Sequence, residues 1–508
     1  MLSKLNQNKK SIFSLILLFA GNFLFFLTLW LAQKYEVVYL DQFLYQMKTS
    51  AAGVHRALAG SAFVRVGVFF LVTSLVELQL YRLLSGRAGI RLARSERYAR
   101  YRSGRVSAFF RRSALPLSAL GLALCAGFFA VQMDVLAYAD RQADESDFIQ
   151  EHYITPTPDR ITFPEQKRNL VYIFLESMEA TFSDPQAGPP IQTDYIPNLS
   201  RLARDHVSFS HDLGPGGALS FAGTTWTASA MVAQTAGVPV KVPLGADTYG
   251  DDAPYMPGLV SLGEILDQAG YNQTVLMGSD GDFHGRKPYF ELHGGYNVLD
   301  INALKEQGRL DEDYRIWWGF EDAKLYEYAR QEATRLSQEQ APFNLTLLTA
   351  DTHFPDGLPC HLCPDTHDNQ YADVLSCADR QVYDFVCWLQ EQPFWPNTTV
   401  VISGDHLTMD ADFLAGMNED YTRTVYNCFL NAPVAPIRTV KRQFGTFDLF
   451  PTTLAALGAR IEGNRLALGT DLFSPTPTLT ERFGFEVLNT ELQKGSAFYN
   501  TKILGMEE

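Results

Sequence analysis

Hydrophobic residues follow two different patterns along this chain. Three unbroken apolar stretches fill the first quarter, at roughly residues 11–31, 61–84 and 114–136. Each is about as long as the ~20 residues that a membrane-spanning helix needs. Beyond residue 136, short β-branched runs alternate with amphipathic helical segments, which is typical of helices layered on a sheet. The sequence therefore predicts three transmembrane helices followed by one α/β domain with a mostly parallel sheet flanked by helices.

Basic residues give the three predicted spans an orientation. The N-terminus carries Lys4, Lys9 and Lys10, and nine arginines lie between the second and third spans, from Arg87 to Arg112. Because positive loops stay in the cytoplasm, we expect everything after the third span to lie outside, which is the periplasm in a cell with two membranes. A signal peptide is the competing interpretation of the first stretch, but no small-residue cleavage site follows it. The prediction is a multi-pass protein of the bacterial inner membrane.

The net charge is divided unevenly between the two parts of the chain. Residues 1–112 carry a net charge of +13 and the remainder carries −28, so the whole chain has −15. An acidic exported part argues against nucleic acid as a partner, because binding to phosphates needs the opposite sign. The arginine-rich loop adjoins two spans, and attraction to anionic lipid of the inner leaflet explains it better.

The exported part has predictable boundaries and elements. With a membrane domain at 1–137, we expect a polar, proline-containing linker at 138–167, a catalytic domain at 168–475 and a C-terminal tail without a motif at 476–508. The predicted strands are NLVYIFLE, YNQTVLMGSD, FNLTLLTADTH and TTVVISGDH, and the predicted helices are IPNLSRLARDH, LVSLGEILDQAG, DRQVYDFVCWLQ and TFDLFPTTLAALG.

Two of these strands end at residues that bind metal. NLVYIFLES brings Glu176 to the end of one strand, and TTVVISGDH brings Asp405 and His406 to the end of another. In parallel sheets, ligands bind outside the carboxyl ends of the strands. The sequence therefore predicts a divalent metal ion at this edge. Capping of the helices that follow is the alternative role for the two carboxylates.

The segment GTTWTASAMVAQTA offers three candidate nucleophiles, Thr224, Thr225 and Thr227, ahead of a helix of small residues. The N-terminus of a helix favours an anion, and a cation held against a hydroxyl lowers its pKa. The residues themselves leave all three threonines open. Capping of the helix is the alternative role for each of them.

Several motifs resemble, in the same order, the sulfatase and alkaline-phosphatase superfamily. FLES in place of paired aspartates resembles its membrane-anchored glycerol- and ethanolamine-phosphate transferases, above all those that modify periplasmic glucans and the lipoteichoic-acid synthases. The similarity covers about residues 165–475 and includes PNLSRLA, GTTWTASAMVAQTAGVPV, YRIWWGFED, ADTHFPDG, SGDHLTM, FDLFPTTLAALG and LGTDLF. A formylglycine sulfatase is disfavoured because the chain has no Cys-x-Pro-x-Arg sequence.

This resemblance assigns roles to individual residues. Thr227, directly after tryptophan, matches the nucleophile, and His353 matches an acid that protonates the leaving alkoxide. The expected metal ligands are Glu176, Thr227, Asp405 and His406. Three oxygens and one nitrogen favour Mn²⁺ or Mg²⁺ over structural zinc, and the resemblance favours Mn²⁺, with catalytic Zn²⁺ as a further option. Expected substrate contacts are Arg286 and His284 for the phosphate or glycerol, and Trp318 and Asp322 for the acceptor.

The resemblance also implies a reaction. Phosphoglycerol would pass from phosphatidylglycerol to a periplasmic glucan or another surface glycan through a covalent phospho-threonine. The alternatives are phosphoethanolamine transfer to lipid A or glycan, hydrolysis of a phosphodiester or sulfate ester, and a non-catalytic role in envelope assembly.

Five cysteines lie in the exported part of the chain, at positions 360, 363, 377, 387 and 428. Cys360-His-Leu-Cys363 is compatible with half of a zinc knuckle, with His367 and Cys377 nearby. An oxidising compartment favours a disulfide instead. We expect Cys377 to pair with Cys363 or Cys360 and to pin a loop beside the active site.

Overall fold

A computed structural model describes residues 2–34, 40–49, 60–85, 104–244, 248–249 and 254–507. The chain forms two compact units. One consists of Met1–Leu40 and His55–Tyr138, and the other of Asp41–Val54 and Ala139–Glu508. The second unit therefore contains a short piece of chain from between the first and second apolar stretches.

The helices of the described residues are α1 (Leu2–Lys34), α2 (Leu40–Lys48), α3 (Phe69–Leu84), α4 (Arg105–Gln132), α5 (Val135–Ala143), α6 (Phe148–His152), α7 (Pro197–Asp205), α8 (Thr227–Ala236), α9 (Leu262–Gln268), α10 (Arg286–Leu292), α11 (Ile301–Glu306), α12 (Asp322–Ser337), α13 (Gln370–Gln390), α14 (Leu449–Ala456), α15 (Leu479–Phe483) and α16 (Phe485–Gln493). π-helical turns lie at Phe63–Val68 and Tyr499–Ile503, and short 3₁₀ turns lie between the longer elements.

Three helices are long and apolar enough to cross a membrane, over Lys9–Gln33, Gly60–Leu84 and Arg105–Gln132. The first two coincide closely with the predicted stretches, whereas the third lies nearer the N-terminus than the predicted 114–136. The polar residues within them are paired, since Asn22 donates hydrogen bonds to Glu77 and Ser74. Such pairing is expected because a lone charge at membrane depth is costly. Most of the arginine-rich loop lies outside the described residues.

A six-stranded sheet forms the centre of the second unit. The strands in chain order are β1 (Ile161–Thr162), β2 (Asn169–Leu175), β3 (Asn272–Met277), β4 (Asn297–Leu299), β5 (Phe343–Leu348), β6 (Thr398–Gly404), β7 (Asn427–Leu430), β8 (Arg460–Ile461), β9 (Arg465–Leu466) and β10 (Gly469–Thr470). The sheet order is β4-β3-β5-β2-β6-β7, and only β7 runs antiparallel to its neighbour. The predicted mostly parallel sheet, with helices beside it, is confirmed.

The segments predicted as linker and tail belong to the same unit as the sheet. In the first, Ile149 is buried and the Ser146 N–H donates to the Gly495 carbonyl at 2.9 Å. In the second, Tyr499 is buried and its hydroxyl donates to the Pro239 carbonyl at 2.7 Å. The structure thus divides the chain differently from the sequence analysis. Both segments bury apolar side chains in the same unit as the sheet and do not form a separate linker and tail.

Candidate active site

Three neighbouring strands deliver polar residues to one edge of the sheet. Glu176 directly follows β2 and Asp405 directly follows β6, and the register pairs Leu175 with Gly404. The two carboxylates therefore emerge side by side. His353 comes five residues after β5, which borders β2 on its other side. Parallel strands with long buried apolar runs thus place these groups together.

Thr227 reaches the same place from the first turn of α8. The chain enters this helix through Gly223, whose φ is +75° and where a Cβ would lie 2.4 Å from the Val240 carbonyl oxygen. Only glycine fits that close approach without strain. The Thr227 hydroxyl lies 3.2 Å from Glu176 Oε2 and 3.4 Å from His406 Nε2.

The other two candidate threonines have different surroundings. The Thr224 hydroxyl is buried and donates to the Phe221 carbonyl at 2.9 Å, as a helix-entry turn residue does. The Thr225 hydroxyl is buried with no hydrogen-bond partner among the described residues. Of the three hydroxyls, that of Thr227 is hydrogen-bonded to the carboxylate and imidazole at the sheet edge.

The donor atoms at this edge fit a divalent cation. His406 Nε2 lies 3.5 Å from a Glu176 oxygen and 3.4 Å from Asp405 Oδ2. One ligand atom from each of Glu176, Asp405 and His406 lies within 4.8 Å of the other two. His406 Nδ1 donates to the Leu407 carbonyl at 2.8 Å, which leaves the Nε2 lone pair facing the carboxylates.

The carboxylate of Asp405 has surroundings that fit a bound cation. Its Oδ1 accepts the N–H groups of Ser177 and His406, both at 2.7 Å. Its Oδ2 is buried and has no hydrogen-bond partner among the described residues. Burial, followed by the nearby Glu176 carboxylate, raises the pKa of Asp405 to about 7. A buried carboxylate oxygen with this environment is suited to coordinate a metal ion.

A pocket opens beside the sheet edge and contains most of the predicted substrate residues. It is lined by Glu176, Thr227, Ala228, Ser279, Phe283, His284, Arg286, Trp318, Thr349, Ala350 and His353. Arg286 is buried, and its Nε and Nη2 donate to the carbonyls of Phe283 and Asp280. Its Nη1 has no protein acceptor among the described residues, so it can serve an anion in the pocket.

The two histidines of this pocket are held differently. His353 Nδ1 donates to the Phe354 carbonyl at 2.6 Å, and its ring lies 4.6 Å from that of Trp318. Burial lowers the pKa of His353, although Glu176 opposes this effect. His284 adopts a left-handed φ of 57° and stacks on Phe283. Burial, with Arg286 nearby, lowers the pKa of His284 to about 3, so its imidazole is neutral.

Asp322 lies outside this pocket, in contrast to its predicted place beside an acceptor. It is the buried first residue of α12 and accepts the N–H groups of Ala350 and Asp351 at 2.7 and 3.2 Å. Its carboxylate therefore fixes the backbone that leads from β5 to His353. The structure gives Asp322 a positioning role.

Tyr45, on α2, is a site residue that the sequence analysis missed. Its fully buried side chain packs against Trp226, and its hydroxyl donates to the His284 carbonyl at 2.7 Å. It also hydrogen-bonds to the Tyr255 hydroxyl at 2.6 Å. A segment from between the first two apolar stretches thus supports both the residue before Thr227 and the pocket histidine. The only sequence signal was the amphipathic LDQFLYQMK.

Comparisons with known proteins place this site in a family. Residues 168–459, more than half of the chain, match the Sulfatase family, so the chain belongs to the sulfatase family. The resemblance inferred from the motifs is confirmed at this level.

Two curated relatives are more specific. Phosphoglycerol transferase I of Escherichia fergusonii is 30% identical over 315 residues, which cover 61% of this chain and 39% of that protein. The same enzyme of Citrobacter koseri is 30% identical over 304 residues, which cover 58% and 38%. The match thus spans about two fifths of the length of these relatives.

Two solved structures show a weaker similarity. The lipoteichoic acid synthase LtaP of Listeria monocytogenes is 19% identical with a TM-score of 0.48, over 64% of this chain and 80% of that chain. The lipooligosaccharide phosphoethanolamine transferase EptA of Neisseria meningitidis is 13% identical with a TM-score of 0.49, over 91% and 87%.

Proposed function

We propose that this protein is a metal-dependent phosphoglycerol transferase of the inner membrane. It would move phosphoglycerol from phosphatidylglycerol to a periplasmic glucan or another surface glycan. The observation that carries this proposal is the Thr227 hydroxyl, which contacts Glu176 and His406 at the mouth of a pocket containing Arg286 and His353. The relatives named phosphoglycerol transferase I support the choice of donor group.

The segments that make up the second unit support a periplasmic location of the site. That unit contains Asp41–Val54, which precede two apolar helices, together with everything after residue 138. Segments on both sides of two helices can share one unit when both helices cross the membrane. The basic loop between those helices then favours the cytoplasm for itself and the periplasm for the catalytic unit.

Glu176, Asp405, His406 and Thr227 would hold the cation, and Mn²⁺ suits a set of oxygen donors with one imidazole, with Mg²⁺ and Zn²⁺ as alternatives. When bound, the cation would polarise a phosphoryl oxygen and lower the pKa of the hydroxyl.

In the first half of the reaction, Thr227 Oγ1 attacks the phosphorus of the lipid headgroup, and its proton leaves toward Glu176. The Thr–O–P bond forms and the P–O bond to diacylglycerol breaks. Protonated His353 gives its Nε2 proton to the departing alkoxide. Burial lowers the pKa of this histidine, and the anionic phosphate counteracts that effect once it is bound. Arg286 Nη1 binds a non-reacting oxygen, and neutral His284 contacts the glycerol.

In the second half, a sugar hydroxyl attacks the phosphorus of phospho-threonine. Neutral His353 accepts the proton of the hydroxyl, the P–O bond to Thr227 breaks, and the proton held at Glu176 returns to Thr227 Oγ1. Trp318 lines the pocket beside His353, where its indole edge would contact the sugar. The threonine is thereby regenerated.

The full chain in detergent, with Mn²⁺, glucan acceptor and phosphatidylglycerol labelled in its headgroup glycerol, tests this proposal. We expect label on the glucan and an equal amount of diacylglycerol. A matched reaction with labelled phosphatidylethanolamine should give no glycan product. Transfer from phosphatidylethanolamine alone would establish the alternative donor, and release of free glycerol phosphate without glycan product would indicate a hydrolase.

A further inference from the structure

A second group of potential metal ligands lies away from the sheet edge, in the loop that follows His353. Cys360 and Cys363 lie in this loop, and Cys377 lies on α13. The sulfur of Cys360 is 3.8 Å from that of Cys377 and 3.8 Å from that of Cys363. All three sulfurs lie within 4.8 Å of one another. The fold thus gathers three thiols that lie at most 17 positions apart in sequence into one cluster.

The spacing of these sulfurs fits a tetrahedral metal site. A Zn–S bond of about 2.3 Å gives sulfur–sulfur distances of about 3.8 Å in a tetrahedron. The Cys360–Cys377 and Cys360–Cys363 sulfur–sulfur distances both have this length. The disulfide predicted from the sequence would use two sulfurs and leave the third as a bare thiol beside them.

Gln381, one turn beyond Cys377, supports a negatively charged sulfur cluster. Its buried amide nitrogen donates to Cys377 Sγ at 3.3 Å and to Cys360 Sγ at 3.9 Å. The Gln381 Oε1 is buried and has no hydrogen-bond partner among the described residues. An N–H group that serves two sulfurs is what thiolates bound to a metal require from their surroundings.

We propose that Cys360, Cys363 and Cys377 bind a thiophilic divalent metal ion of the zinc type through three thiolates. Cys360 and Cys363 are partly exposed, so the fourth position is open to solvent or to a loop histidine, His361 or His367. This ion would fasten the loop to α13, a few residues beyond His353. Soft sulfur ligands distinguish it from the oxygen-rich site at the sheet edge.

Cobalt substitution of the full-length protein tests the proposal directly. Co²⁺ bound by thiolates gives an intense charge-transfer absorption that oxygen and nitrogen ligands do not give. We expect this absorption in the wild type and in Asp405→Asn, and its loss in Cys363→Ser. Cys387→Ser is the matched control, because Cys387 lies on the same helix outside the cluster, and it should keep the absorption.

The mass of the denatured wild-type protein, purified without reductant, gives a second readout that needs no variant. The proposal predicts the mass of a chain with all thiols reduced. A mass lower by two hydrogens, with a peptide linking Cys377 to Cys360 or Cys363 and no charge-transfer absorption, would overturn it in favour of the disulfide. Three reduced thiols without that absorption would overturn it as well.

Discussion

The two ligand clusters of the catalytic unit differ in their donor atoms, in their burial and in the elements that hold them. Glu176, Asp405 and His406 are fully buried and follow the ends of adjacent parallel strands. The three cysteines lie on a loop and a helix, and two of them are partly exposed. A rigid sheet edge positions side chains accurately enough for catalysis. A metal link between a loop and a helix needs only to keep the loop attached. We therefore assign catalysis to the first cluster and support to the second.

The largest expected difference between the clusters is in turnover. Thr227→Ala should lower diacylglycerol release from phosphatidylglycerol by at least about 10⁴-fold, because it removes the nucleophile. Cys363→Ser should lower it by less than about tenfold, because its sulfur touches no reacting atom. Thr225→Ala is the control for changes near α8. Wild-type turnover in Thr227→Ala would refute the assignment of this cluster to catalysis.

Metal affinity should separate the clusters next. Asp405→Asn should weaken Mn²⁺ binding by more than about 100-fold, since it removes a charged ligand whose Oδ2 has no hydrogen-bond partner in the part of the chain that the structure describes. Binding would be measured from the free Mn²⁺ signal in electron paramagnetic resonance. Cys363→Ser should leave the Mn²⁺ affinity unchanged. If both variants lost Mn²⁺ equally, the two clusters would not be separate sites.

Opening of the loop at residues 357–369 should depend on the cysteine cluster and not on the cluster at the sheet edge. Cys363→Ser should speed proteolytic cleavage within residues 357–369 by about tenfold or more, because the clip to α13 is lost. Asp405→Asn should be cleaved at the wild-type rate. Cleavage sites and rates can be followed by mass spectrometry of time points. An unchanged rate in Cys363→Ser would mean that the cysteines do not hold the loop.

The smallest expected effect is on the free energy of unfolding and comes from outside both clusters, at His284. Its pKa is lowered by burial, from an ordinary value near 6.5 to about 3, so the unfolded state binds more protons between these pH values. Stability should therefore rise with pH across that window and fall on acidification, by on the order of a few kcal/mol. His284→Gln should flatten this part of the dependence in thermal unfolding experiments. An unchanged slope would show that His284 is not held neutral.

Long buried strands were the part of this fold that the sequence predicted best. The segments that form β2 and β6 are rich in buried apolar residues and are followed by charged residues. These features predicted both the parallel sheet and the meeting of Glu176 and Asp405 at one of its edges. Thr227 was selected by resemblance, because the residues themselves did not separate three similar hydroxyls. Their separation needed the turn at Gly223, which only the folded chain displays.

Residues that act through tertiary contacts were harder to predict. Tyr45 lies between two apolar stretches in sequence, and nothing local shows that its ring will pack on Trp226. Asp322 sits at the start of α12, a helix the sequence analysis did not predict, and its backbone partners are 28 and 29 residues away. Local patterns carry no information about such distant hydrogen bonds.

Formation of a covalent phosphoglycerol adduct on Thr227 can be observed directly when the acceptor is left out. The full chain with Mn²⁺ and phosphatidylglycerol, without acceptor, would be quenched and analysed as intact protein and as peptides. We expect the 223–240 peptide to gain the mass of one phosphoglycerol at Thr227. The same peptide of Thr227→Ala should show no added mass. Diacylglycerol release without any adduct, or an adduct on Thr224 or Thr225, would contradict this expectation.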